Sequence, residues 1–381
     1  MRNAITALAL LAAIPAACDR AAKDQPKAPE PAIVASTQVS DELPGLDAPA
    51  TGIAFWEHPT LAFNGLMIVA GEKGLVSYNM EDGNPVARVD GFDAQGVAVD
   101  YLGFGTQAVG FAAFLDRAEN TFRFYGIDNN TRAFLPLDPG PVIRGAVRGF
   151  CMGRAQTADA PTLFVIQKSK IQLFNLAANN SGVAIAGETT IETPDNIASC
   201  TVDSDGVLIV AAEDGALYRV AGENAFATPF AQTEIASVGE IGLVIAAADA
   251  AAEAEDTLSD TQSTFGHILM ADKASGALHV FDREDGRKIG VVTFDALDAL
   301  AGVDHADVFA ATGANLGGLY RNGVVAFGVG DGVDGPTIRL APTSSVANAL
   351  SQSVGTTLSP RGVMLEGDDD GLIIKIDYQP E

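Results

Sequence analysis

The chain is short of aromatic residues, histidine, cysteine and positive charge. Aromatics make up 7% of its 381 residues, with one tryptophan, and there are four histidines and three cysteines. His58, His267, His279 and His305 are too scattered for zinc-ligand spacing. None adjoins a serine or cysteine in a nucleophile motif, so each reads as a surface or loop histidine. Lysine and arginine number 23 against 49 acids, a formal charge of −26. That balance excludes nucleic acid as a partner, because releasing counterions from a phosphate backbone needs a basic footprint. It suits an acidic, solvated surface. No Gly-x-Gly-x-x-Gly opens a helix: in "GVGDGVDG" Val333 stands where the last glycine belongs, which excludes a nucleotide cradle of that kind. Convincing helical periodicity is also scarce beyond residue 50, apart from "SVANALS" and the Ala- and acid-rich stretch "ADAAAEAEDTLSD".

The N-terminus reads as an export signal. In "MRNAITALALLAAIPAAC", Arg2 precedes an apolar run from Ala4 to Ile14 that is too short to span a bilayer, and small residues lead to Cys18. Residues 1–17 are expected to be a signal peptide of lipoprotein type, with Cys18 as the lipidation site and that lipid as the membrane attachment. Plain cleavage of the signal is the alternative, since Pro15 stands where leucine is usual. The expected location is the periplasm, the outer membrane as a lipoprotein, or the medium. Residues 18–45, rich in Ala, Pro, Lys and Asp, are expected to form a flexible linker, and 46–381 the folded domain. Cys151 and Cys200 lie in similar contexts, "RGFCMG" and "NIASCTV", in a compartment where disulfides persist. They are either bridged between neighbouring repeats or two buried thiols.

Short apolar runs bounded by Gly, Asp and Asn recur from residue 50 onward: "GIAFW", "GLMIVAG", "GVLIVAA" and "GVVAFGV" are continuous enough for strands buried on both faces. "GLVSYNMEDGN", "NTFRFYGIDNN", "KIQLFNLAANN", "GALYRVAGEN" and "GALHVFDREDG" share a small or polar entry, an alternating strand and a polar turn. Their period of roughly fifty residues is that of a four-stranded propeller blade. "GPTIRLAP" adds a sixth unit and "GLIIKIDY" offers a closing strand. The expected fold is all-β, a six-bladed β-propeller with seven blades as the alternative, and a monomer. Acid clusters such as "VDSDG", "EDG", "VDHAD", "GDGVDG" and "EGDDDG" carry oxygen donors suited to Ca²⁺ but lack EF-hand spacing, and Asp-Gly is also ordinary turn chemistry.

Taken in order, these segments resemble the β-propeller phytases. "IAFWEHPT" with "GLMIVAGEKGLVSYNMEDG" is similar to the first blade of that family, and "AAFLDRAENTFRFYGID" to the second, with its Arg-x-x-Asn-Thr element. "VRGFCMGRA" with "LFVIQKSKIQLFNL", "SCTVDSDGVLIVAAEDGALYRV", "ILMADKASGALHVFDRE" and "GANLGGLYRNGVVAFGVGDG" follow for the rest, over most of residues 46 to 345. The resemblance implies a cell-envelope phosphomonoesterase acting on phytate or another inositol phosphate with Ca²⁺ as cofactor. It assigns phosphate binding to Arg117 and Lys168, residue types that grip phosphate by a guanidinium fork and a point charge. Several family acids are replaced, by Thr51-Gly52, Ala198-Ser199 and Ile241-Gly242 among others, leaving Glu213 and Asp307 as the best-kept metal ligands and Glu240 as a near match. A calcium cluster needs six to eight oxygens per ion. The implied hydrolysis is therefore expected to be reduced or lost, and the alternative is a non-catalytic propeller that binds a phosphorylated, glycan or protein partner.

Overall fold

A computed structural model describes residues 32–358, except 44–45, 105–106, 138, 156–157, 159, 180–181, 222–224, 248–263, 331–334 and 354–355. Its strands form six sheets arranged as a six-bladed β-propeller. Blade one is Ala50–Trp56, Leu66–Gly71, Gly74–Asn79 and Pro85–Asp90; blade two is Ala94–Phe104, Gln107–Asp116, Thr121–Ile127 and Phe134–Pro136. Blade three is Gly149–Gly153, Thr162–Ile166, Lys170–Asn179 and Gly182–Glu192; blade four is Ile197–Val202, Leu208–Ala212, Ala216–Val220 and Ala231–Gln232. Blade five is built on Val238–Ala247, Thr264–Asp272, Leu278–Asp282 and Lys288–Asp295, and blade six on Val308–Thr312, Val324–Val329 and Thr337–Pro342. The first strand of each blade touches the first strand of the next, and blade six touches blade one, so the ring closes around a central channel.

Six apolar clusters account for the continuous hydrophobic strands, one at each seam between neighbouring blades. Trp56 and Ile68 of blade one pack with Phe114 and Tyr101 of blade two, and Ile209 and Leu217 of blade four pack with Ile241 and Phe281 of blade five. A blade is thus buried on both faces, and its strands need not alternate. Gly110 is required by one of these seams: a Cβ there would lie 2.1 Å from Nε1 of Trp56, the single tryptophan.

Closure corrects the expected linker. Within the expected linker of residues 18–45 only 33–43 bear on it: β1 (Ile33–Gln38) pairs in parallel with Lys288–Asp295, and β2 (Asp41–Leu43) pairs antiparallel with Thr337–Pro342 as the outer strand of blade six. Val39 and Leu43 are buried. A strand at the rim of a sheet needs only one or two apolar residues, so its composition passes for a linker. The closing strand therefore comes from the N-terminal side, while "GLIIKIDY", Cys18 and "ADAAAEAEDTLSD" lie outside the described residues. The first five residues of "SVANALS" fall in the helix α1, Thr343–Ala349.

Buried polar ties join adjacent blades. Arg154, after the first strand of blade three, donates Nε to Asp100 of blade two at 3.1 Å. Arg283 of blade five donates Nε to both carboxylate oxygens of Asp203 in blade four, at 2.8 and 2.9 Å, and Arg219 donates to the same carboxylate at 2.9 Å. Asp203, the first of the two acids in "VDSDG", is thus consumed by arginines. Two histidines read as surface or loop residues are instead buried. His58 Nδ1 accepts from the Thr60 and Leu61 amides while Nε2 donates to the Asn129 carbonyl at 2.8 Å. His279 lies 3.0 Å from the Thr233 hydroxyl, which also receives the Lys288 ammonium at 2.6 Å.

Candidate anion-binding site

The first strands of blades one, two, four and five each carry a β-bulge near their start. Ala50 pairs with Gly71 and Gly52 with Ala70, so Thr51 is extra. Likewise the pairing skips between Gln95 and Ala98, between Ile197 and Ser199, and between Val238 and Ile241. A bulge bends its strand and re-aims side chains. The bulge residues Thr51, Gly96, Val97, Ala198 and Glu240 all line one cavity of about 310 Å³ at the channel mouth, which residues of all six blades surround. Gly96 has φ +65°, and a Cβ there would sit 2.7 Å from the Phe150 ring. Glycine therefore fits both the left-handed backbone and the space.

Three cations, Arg117, Arg148 and Lys273, line this cavity, with Glu240 as the acid among the lining residues. Arg117 follows the second strand of blade two and pairs through Nη2 with Asp93 at 3.1 Å. The neighbouring acids Asp116 and Glu119 are taken by Arg123. Asn120 holds a left-handed turn (φ 52°) and donates its amide to the Gly145 carbonyl at 3.0 Å, fixing the approach to blade three. Arg148 immediately precedes the first strand of blade three. Its Nη1 donates to the Asp195 carbonyl at 2.6 Å and lies 3.4 Å from Glu213 Oε1. Lys273 pairs with Glu240 Oε1 at 3.3 Å, while Oε2 of Glu240 accepts the Phe309 amide of blade six at 3.0 Å. Lys168 stands outside the lining, 76% exposed, with its ammonium 3.8 Å from Asp195. Since Asp195 also accepts from Arg148, Lys168 sits on the same rim as the cavity. Arg117 and Lys168 are thus both paired with acids.

Both carboxylates expected to hold Ca²⁺ have partners within the protein. Glu213 is engaged with Arg148, and Asp307 accepts the Gly330 amide at 2.7 Å. Among the described residues, no group of three or more His, Cys, Asp or Glu side chains is arranged to hold a metal. Cys151 and Cys200 are bridged, with Cα atoms 5.7 Å apart, and tie the first strands of blades three and four beside the mouth.

Arg148, Lys273 and Ser199 are site residues that the sequence reading left unassigned. Arg148 lies three residues before Cys151, just ahead of its strand, and Ser199 one residue before Cys200, within its strand. Lys273 follows Asp272 at the end of the second strand of blade five as Arg117 follows Asp116 in blade two, a correspondence that aligning the blades on their second strands shows.

No family model matches the sequence. No curated protein matches it. Among solved structures, Kluyveromyces lactis Hsv2 is similar at a TM-score of 0.36 and 13% identity, over 74% of this chain and 71% of that one. The propeller assignment stands on the strand pairing itself.

Proposed function

We propose that this protein is a phytase-like propeller of the cell envelope whose channel mouth binds a phosphorylated ligand, with calcium-dependent hydrolysis reduced or lost. The observation that carries this reading is the convergence of Arg117, Arg148 and Lys273 on one cavity. The acids in reach, Asp93, Glu213 and Glu240, are held in ion pairs rather than gathered as a metal cage. Guanidinium groups with exposed, exchangeable partners can turn to phosphate oxygens at little cost, because such surface pairs are worth about 0–1 kcal/mol. The Cys151–Cys200 bridge supports an oxidising compartment, in keeping with the export signal.

The test is calorimetric titration of the purified protein with phosphate and with Ca²⁺, beside an assay of phosphate release from calcium phytate. Binding of phosphate that weakens in Arg117→Ala and Arg148→Ala, with no tight calcium sites and no sustained release, is the expected result. Rapid release at millimolar calcium would reject the loss of catalysis, and absence of phosphate binding would reject the site.

A further inference from the structure

Ser199 gives the mouth a feature that the cations do not. It occupies the strand position just after the blade-four bulge, is 9% exposed, and lines the cavity. Its Oγ has no hydrogen-bond partner in the protein. A buried hydroxyl left unsatisfied is unfavourable, so turning it toward a ligand that enters the cavity is favoured.

Charge limits what can enter. The lining side chains Arg117, Arg148, Lys273 and Glu240 sum to +2. Adding Asp93 and Glu213, which stand behind the two arginines, makes the set neutral. One phosphomonoester carries about −1.5 to −2 at neutral pH, whereas an inositol hexakisphosphate carries roughly six times that. A single dianion is matched by the two guanidiniums once it displaces Asp93 and Glu213 from them, whereas the larger polyanion exceeds the charge that these cations can compensate, in a chain whose formal charge is −26. The two arginines belong to blades two and three and Ser199 to blade four. Lys273 and Phe309, of blades five and six, are already engaged by the carboxylate of Glu240. The mouth is therefore divided into a half satisfied by its own carboxylate and a half with an unmet hydroxyl and two exchangeable guanidiniums.

We propose that this second half takes one phosphomonoester-type dianion, held by Arg117 and Arg148, with Ser199 Oγ as its buried hydrogen-bond donor. The assignment rests on the phosphate-binding reading of the same cavity and names the ligand class within it. Such a site does not select the hexakisphosphate.

The experiment titrates inorganic phosphate, and separately phytate, into the full chain without calcium, using wild type, Ser199→Ala and Arg148→Ala. A hydrogen bond to a charged group is worth about 1.5–3 kcal/mol. Phosphate affinity in Ser199→Ala should therefore fall roughly ten-fold or more, at a melting temperature equal to or above that of wild type, and wild type should bind phytate no more tightly than phosphate. Full affinity in Ser199→Ala with loss in Arg148→Ala would overturn the role of Ser199 and leave the phosphate site standing. Phytate binding ten-fold tighter than phosphate would overturn the dianion selectivity. No phosphate binding by wild type would sink both readings.

Discussion

Replacing His279 with glutamine should make this protein more resistant to acid. His279 is 7% exposed at the seam between blades four and five, where the Thr233 hydroxyl sits 3.0 Å from Nδ1. Burial first, and the nearby Lys288 ammonium second, pull its pKa from 6.5 down to about 4. The folded-state pKa lies below the unfolded one, so between these values the unfolded chain binds a proton that the folded chain refuses. Stability is complete above about 6.5 and is lost as pH falls toward 4, with a slope of up to 1.36 kcal/mol per pH unit, or about 3 kcal/mol in total. Glutamine keeps a polar partner for Thr233 and cannot take up the proton. Urea unfolding at intervals from pH 7.5 to 4 should show wild type losing about 3 kcal/mol more than His279→Gln. An NMR titration should leave the His279 ring neutral at pH 5.5. Parallel stability curves for the two proteins, or a ring that protonates near 6.5, would refute the placement of an uncharged imidazole beside Lys288.

Two further outcomes test the ring itself. Cys151 and Cys200 are 49 residues apart, and by the loop-entropy relation removing their bridge with the double serine variant should cost about 4 kcal/mol, read as a drop in melting temperature. Labelling the unfolded, non-reduced protein should find no thiol at either position, and modification of both would refute the bridge. Gly110→Ala should cost about 1–3 kcal/mol by overpacking and shift the emission of Trp56, because the new methyl group falls 2.1 Å from the indole nitrogen; unchanged stability and spectrum would place Trp56 elsewhere.

The repeats were legible because they follow the third strand of every blade. "GLVSYN", "TFRFYGI", "KIQLFNLAAN", "ALYRV", "LHVFD" and "TIRLAP" are third strands in order, each entered and left through turns whose residue types are constrained. The closing β2 was not legible, since "DEL" carries a single core residue and its pairing is decided by a segment at the far end of the chain. The site divides in the same way. Arg117 could be singled out from its local element, but Arg148, Lys273 and Ser199 share no sequence neighbourhood and meet only through ring closure. The bulges that turn these strands inward are differences of one residue in register, to which hydrophobic patterning is blind.

The segment around β2 also sets the order of assembly. Ser40 bonds Leu340, 300 positions later, so on a chain made from its N-terminus this segment waits through the synthesis of nearly every blade before its partner exists. Locking the torus is then the closing act of folding, carried by contacts of the greatest sequence separation. Truncation ahead of Thr337 would leave an open arc with bare strand edges, the form most prone to pair with other chains.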